Sequence, residues 1–356
     1  MCDSCASCDR DGRKRTNVVG VQMPHNHWMQ LKTFCGHQDI RALTNYSQAR
    51  TPALIGRILI RLGSVVSLVG FLFVCAPTAS AQDQSPRARL EALGLDTARV
   101  GRVTAHFAST DRDRAVELAL LADDAATFFE RELDIAFPFG VAALGPEQWF
   151  SDIPVIPYAI PWPSMPDRLI FMPSSLSEGL LIRGEDTLED RRRVDFVLLH
   201  EYGHLLAKAH LRPRSDRDYL PVSWFEELLA NYFAYAYLHE AHGEWTEAAR
   251  AAWVEELRRF TPPVLSLDWS FMNDLPPPVL SETYGWYQFL LNLRAAELYD
   301  EHGLDFLSLL KERLSWEEAG DWRSESLLSN LEAIAPGFDA WVADLEGGDY
   351  LRRYKE

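Results

Sequence analysis

Residues 194–209 read VDFVLLHEYGHLLAKA and carry His200-Glu201-Tyr202-Gly203-His204 at their centre. On a helix, residues four apart share a face, so the two imidazoles of this H-E-x-x-H can point at one metal ion. Glu201 follows the first histidine directly, where it can act on a water at the ion instead of binding the ion itself. The helix is expected to begin near Thr187, because Thr187 and Asp190 have the spacing of a capping box. It should stop where Arg212-Pro213 makes continuation difficult.

Downstream, a second helix is predicted to open at Ser223-Trp224-Phe225-Glu226-Glu227-Leu228-Leu229-Ala230-Asn231-Tyr232. Ser223 and Glu226 again have capping-box spacing, which gives Glu226 a task at the helix start and frees Glu227 to turn inward. A carboxylate among Leu228, Leu229, Ala230 and Phe233 is costly unless a positive group meets it, and a metal held by two histidines would. The plainer reading is an acidic first turn favoured by the helix dipole.

Together the two stretches resemble the gluzincins, the zinc peptidases typified by thermolysin and aminopeptidase N. Trp224-Phe225-Glu226-Glu227-Leu228-Leu229-Ala230 is similar to their W-L-N-E-G-F-A signature. The resemblance implies an α+β zincin-like fold, with a small N-terminal mixed sheet and active-site helices followed by an all-α C-terminal lobe. It implies Zn2+ on His200, His204 and Glu227, with Glu201 as general base. It puts Asn231 where thermolysin-like enzymes orient a ligating histidine with an aspartate. Tyr284-Gly285-Trp286-Tyr287 resembles the Y-E-K-G segment of aminopeptidase N relatives, which implies that the Tyr284 hydroxyl stabilises an oxyanion. His210, His239 and His242 are further candidates for that donor. The chain departs from the aminopeptidase pattern in having no G-x-M-E-N segment before His200, so endo- or exopeptidase action stays open.

Ahead of this region the composition changes. Residues 1–81 hold nine Lys and Arg against four Asp, a net +5, whereas the whole chain carries −17. Arg57 and Arg61 precede an apolar run, residues 62–75, and Ala79-Ser80-Ala81 supplies an A-x-A site, the layout of a secretory signal peptide. The run is short for a membrane span, which needs about 20 residues. The mature chain is therefore expected to begin near Gln82, to be secreted or periplasmic, and to have no stable membrane span. All five cysteines (Cys2, Cys5, Cys8, Cys35 and Cys75) fall before Gln82, so the mature chain would hold neither thiol nor disulfide. Cys2-x-x-Cys5-x-x-Cys8 has no partner cluster, and residues 1–50 read as a disordered extension or a start assigned too early. The acidic remainder argues against a nucleic-acid partner, which needs a concentrated basic surface.

Within the remainder, short helices and strands are expected at Pro86–Leu95 (helix), Val100–Ala108, Phe139–Leu144 and Arg168–Met172 (strands). A long amphipathic helix is expected at Asp113–Leu133. His106, alone on its strand, is given no role. Five prolines in Ile153–Pro166 make that stretch a loop or an exposed edge. Helices are expected over Glu244–Phe260, Ser281–His302, Leu304–Leu314, Ser324–Ile334 and Phe338–Leu345. The prolines at 262–263 and 276–278 separate a catalytic lobe, residues 82–262, from a helical lobe, residues 263–356. The expected function is a zinc metallopeptidase acting on a peptide or protein substrate through a zinc-activated water. The alternative is a zincin-fold zinc-binding protein that is catalytically inactive or acts on something other than peptides.

Overall fold

A computed structural model describes residues 85–149, 160–174, 181–182, 194–211, 220, 222–314, 324–350 and 352. The expected signal peptide, all the cysteines and the Thr187–Asp190 cap lie outside the described residues.

The first elements build a sheet. Helix α1 (Pro86–Ala92) starts at Ser85, whose hydroxyl accepts the Ala88 N–H, and has proline at its first position. The strand expected over residues 100–108 is in fact two: β1 (Asp96–Val100) and β2 (Val103–Phe107) pair antiparallel. Gly101 makes the turn at φ +53, and a Cβ there would stand 2.1 Å from Asp123 Oδ2. That carboxylate accepts the Arg102 N–H and pins the turn to the following helix. Helix α2 (Arg112–Leu133) buries Ala115, Leu118, Ala119, Ala122, Ala126 and Phe129 along one stripe against the sheet. It ends at Asp134 in the left-handed region.

Strands β3 (Phe139–Leu144), β4 (Trp162–Ser164) and β5 (Leu169–Pro173) complete a five-stranded mixed sheet in the order β1-β2-β3-β5-β4. The β2–β3 and β3–β5 pairs are parallel, while β4 runs antiparallel to β5 along the edge. Both faces of the inner strands are covered. Val141, Ala143, Ile170 and Met172 join the main core, whereas Ala142, Leu144, Leu169 and Phe171 meet Leu90 of α1 and Trp162 on the other face. Of the proline-rich stretch, residues 150–159 lie outside the described residues, and 162–164 form the edge strand.

A two-residue pair, β6 (Leu181–Ile182) with β7 (Val194–Asp195), leads into helix α3 (Phe196–Leu211). The motif helix therefore starts at Phe196 and not near Thr187. Its cap is Asp195, whose Oδ1 accepts the Leu198 N–H at 3.2 Å while Oδ2 meets Arg114 of α2 at 2.5 Å.

The remaining described elements are helical: α4 (Ser223–Ala241), α5 (Thr246–Arg259), α6 (Pro277–His302), α7 (Asp305–Arg313), α8 (Ser324–Ile334) and α9 (Phe338–Glu346). Helix α4 is buried on nearly every side, since α3 packs on one flank and α6 on another, so apolar residues occupy all its faces. Helix α6 begins earlier than expected because Pro277 fits the first helical position, where no N–H is needed. One continuous apolar core runs from the sheet through α3, α4 and α6 to α9. The layout is α+β, a small mixed sheet followed by helices. Among the described residues no helix is long and apolar enough to cross a membrane.

Candidate metal centre

Helices α3 and α4 cross at a glycine. A Cβ at Gly203 would stand 2.4 Å from the Ala230 carbonyl oxygen and 2.8 Å from its Cα, so α4 lies directly on the bare backbone of α3. That contact brings Glu227, one turn before Ala230, beside both histidines. Glu227 Oε2 is 3.1 Å from His200 Nε2 and 3.7 Å from His204 Nε2, and the two Nε2 atoms are 3.2 Å apart.

His200, Glu201 and His204, all buried, each offer a ligand atom, and these atoms lie within 4.8 Å of one another, so the group could hold a metal ion. The Glu227 oxygen comes closer still to the imidazoles. Donors placed tetrahedrally at about 2.1 Å from an ion stand about 3.4 Å apart, so the spacing of His200, His204 and Glu227 fits such an ion without rearrangement.

The hydrogen bonds around the site have a forced direction. Glu227, as a carboxylate, only accepts, so Gln288 on α6 must donate through Nε2 to Glu227 Oε2, at 2.8 Å. That leaves Gln288 Oε1 to accept from Asn231 Nδ2, at 3.3 Å. Asn231 Oδ1 then faces His200 Nδ1 at 2.6 Å and accepts its N–H hydrogen bond. A neutral His200 ring with its hydrogen on Nδ1 carries its lone pair on Nε2, aimed at the Glu227 carboxylate. The nearest acceptor to His204 Nδ1 is Glu226 Oε1, at 3.4 Å, which favours the same tautomer there. With both rings neutral, three electron pairs converge on one point, an arrangement that a cation stabilises.

Electrostatics follow from this crowding. Burial opposes the charged form of Glu227, but the neighbouring imidazoles, His204 first, and the Gln288 amide outweigh it and bring its pKa down to about 2. Burial likewise opposes a charged His204, yet Glu227 and then Glu226 overcome it and raise its pKa to about 9. In Glu201 burial wins: its pKa is raised even though both histidines pull it down.

The expected residues divide clearly by place. His200, Glu201, His204, Glu227, Asn231 and Tyr284 come together. The Tyr284 hydroxyl donates to Glu227 Oε1 at 3.2 Å, while the residue as a whole is 39% exposed. Burial, with Glu227 and Glu201 close by, pushes its pKa well up. His210 faces α7 instead, with Nε2 3.1 Å from the Leu307 carbonyl. His239 pairs with Glu240, and His242 stacks on Trp245. His106 stays on the sheet, where burial lowers its pKa.

The Ser223–Glu226 capping box does not form. Helix α4 starts after Val222 with no side-chain cap, and buried Glu226 accepts the Leu220 N–H at 3.0 Å while facing His204. The helix comes in with its first turn turned towards α3, so the carboxylate points at the imidazole and not back at Ser223. Gln288 belongs to the site as well; the only sequence signal for it is that it sits one helical turn after Tyr284 and so shares its face.

Comparison with protein-family models gives no match, and comparison with curated proteins gives none.

Proposed function

We propose that the chain is a zinc metallopeptidase of gluzincin type, exported from the cytoplasm and acting on a peptide or protein substrate. The observation that carries this reading is the convergence of His200 Nε2, His204 Nε2 and Glu227 Oε2 within 3.1–3.7 Å, beside a buried carboxylate that is not needed as a ligand.

His200, His204 and Glu227 would hold the ion, which when bound polarises a carbonyl and makes water a nucleophile near neutral pH. His and carboxylate donors with a position left open match catalytic zinc, whereas structural zinc usually has four protein ligands. Glu201 takes the proton from the attacking water. Its raised pKa suits it to accept a proton and then to pass it to the leaving amine. The Tyr284 hydroxyl, which donates to Glu227 Oε1 in the free site, would turn its one hydrogen to the developing oxyanion during the reaction. Asn231 and Gln288 hold the ligands in aim. Export is supported by the residues 57–81 pattern.

Elemental analysis of the purified chain and of His204→Ala, followed by digestion of a peptide library, tests the reading. About one zinc per chain, lost in the variant, with cleavage that a chelator abolishes, is the expected result. Zinc without cleavage of any peptide would favour a zincin-fold protein with no peptidase activity. Absence of zinc would overturn the reading.

A further inference from the structure

We infer that Gln288 is the positioning residue of the metal centre: its single amide sets the aim of Glu227 and the tautomer of His200 together. The inference rests on reading the site as a metal centre.

Gln288 Nε2 donates to Glu227 Oε2, the same oxygen that faces both histidines, and Gln288 Oε1 accepts from Asn231, whose own oxygen meets His200 Nδ1. The task needs one donor and one acceptor on a single planar group. A carboxylate lacks the donor, an ammonium lacks the acceptor, and only an amide supplies both at this length. The other Glu227 oxygen is held by the Tyr284 hydroxyl. With each oxygen engaged on its outer side, Glu227 presents one lone pair to the ion and binds through one oxygen only.

The backbone that carries Gln288 is locked. Trp286, Tyr287, Leu290 and Leu291 around it are at most 2% exposed. The Tyr287 hydroxyl bonds the 264–266 backbone, accepting the Ser266 N–H and donating to the Val264 carbonyl. Helix α6 therefore acts on the site as a rigid support, and two of the three donors depend on a helix that supplies no ligand itself.

The test compares the full chain with Gln288→Met, which keeps length and helix propensity but neither donates nor accepts through an amide. Zinc affinity is measured by competition with a chromophoric chelator, coordination from the visible spectrum of the cobalt(II) protein, and folding from the Tm of the metal-free protein. Loss of the outer partner should weaken zinc binding about 10- to 100-fold. With Tyr284 still on its other oxygen, Glu227 should keep binding through one oxygen but lose its aim, so the visible cobalt bands should shift. The metal-free Tm should change little.

Zinc affinity within about twofold of the parent and an unchanged cobalt spectrum would overturn the inference, because outer partners of real consequence cost more than that. A fall in metal-free Tm with zinc affinity intact would overturn it too, since it would mean that Gln288 only packs α6. If Gln288→Met does not fold, Gln288→Asn is read in the same way. A parent chain that binds no zinc would remove the metal centre itself, a result distinct from either of these.

Discussion

Gly203 of α3 rests on the backbone of Ala230 of α4, with room for no side-chain atom between them. The contact sets the distance between the helix that carries both histidines and the helix that carries Glu227. Gly203→Ala must push the helices apart, because the atoms it meets are backbone and cannot rotate away. Overpacking of this kind costs about 1–3 kcal/mol, and the shift moves Glu227 from the imidazoles. Zinc affinity should therefore fall more steeply than stability does. Calorimetric zinc titration beside denaturant unfolding checks this, and a variant that unfolds earlier yet binds zinc as before would refute the spacing argument.

Glu201 lies in the cluster, and on the proposed reading it is the base and not a ligand. Glu201→Gln keeps the shape and would remove that base. Turnover should drop by about 10²–10⁴-fold, the usual contribution of a positioned general base, while zinc stays bound. Because burial already disfavours the Glu201 charge, stability should hold or rise. Steady-state rates, metal content and Tm on one preparation give the answer; loss of metal would make Glu201 a ligand instead.

Glu226 is 6% exposed, accepts the Leu220 N–H and lies 3.4 Å from His204 Nδ1. Glu226→Ala orphans a buried N–H, at a cost of about 1–3 kcal/mol. It also frees the His204 ring to turn, which should weaken zinc binding about tenfold. Glu226→Gln keeps one acceptor oxygen, so it should recover the loss at the Leu220 N–H or the loss at His204, but not both. Equal effects from the two substitutions would count against the role of the carboxylate oxygen.

His210 is buried against α7, and burial lowers its pKa in the folded chain. A histidine whose folded pKa lies below its unfolded value of about 6.5 adds stability above that pH and loses it as pH falls. The metal-free protein should thus unfold more easily at pH ~5.5 than at pH ~7 in part through His210. His210→Gln retains a donor for the Leu307 carbonyl without a titrating ring, so its urea midpoint should change less between the two conditions. Parallel pH dependences in parent and variant would rule this out.

Local pattern was enough for much of this protein. The i, i+4 spacing of His200 and His204, the stripe along α2, the sparse polar positions of α4 and the run of C-terminal helices are all properties of nearby residues, and nearby residues decide helix faces. The glycine turn between β1 and β2 is not legible in the sequence, because the strand pattern continues across it and Asp123, which holds it, comes from another element. Glu227 could be preferred over Glu226 on sequence grounds, but the capping box used in that argument does not exist. What turns Glu226 towards His204 and Glu227 towards both Nε2 atoms is the close crossing at Gly203 and Ala230. The sequence puts Gln288 on the helix face of Tyr284 but not its task, because its partners, Asn231 and Glu227, lie 57 and 61 residues away along the chain. Sequence determines which donors exist and which share a helix; the distance between helices, and so which donors meet, is decided only when the core packs.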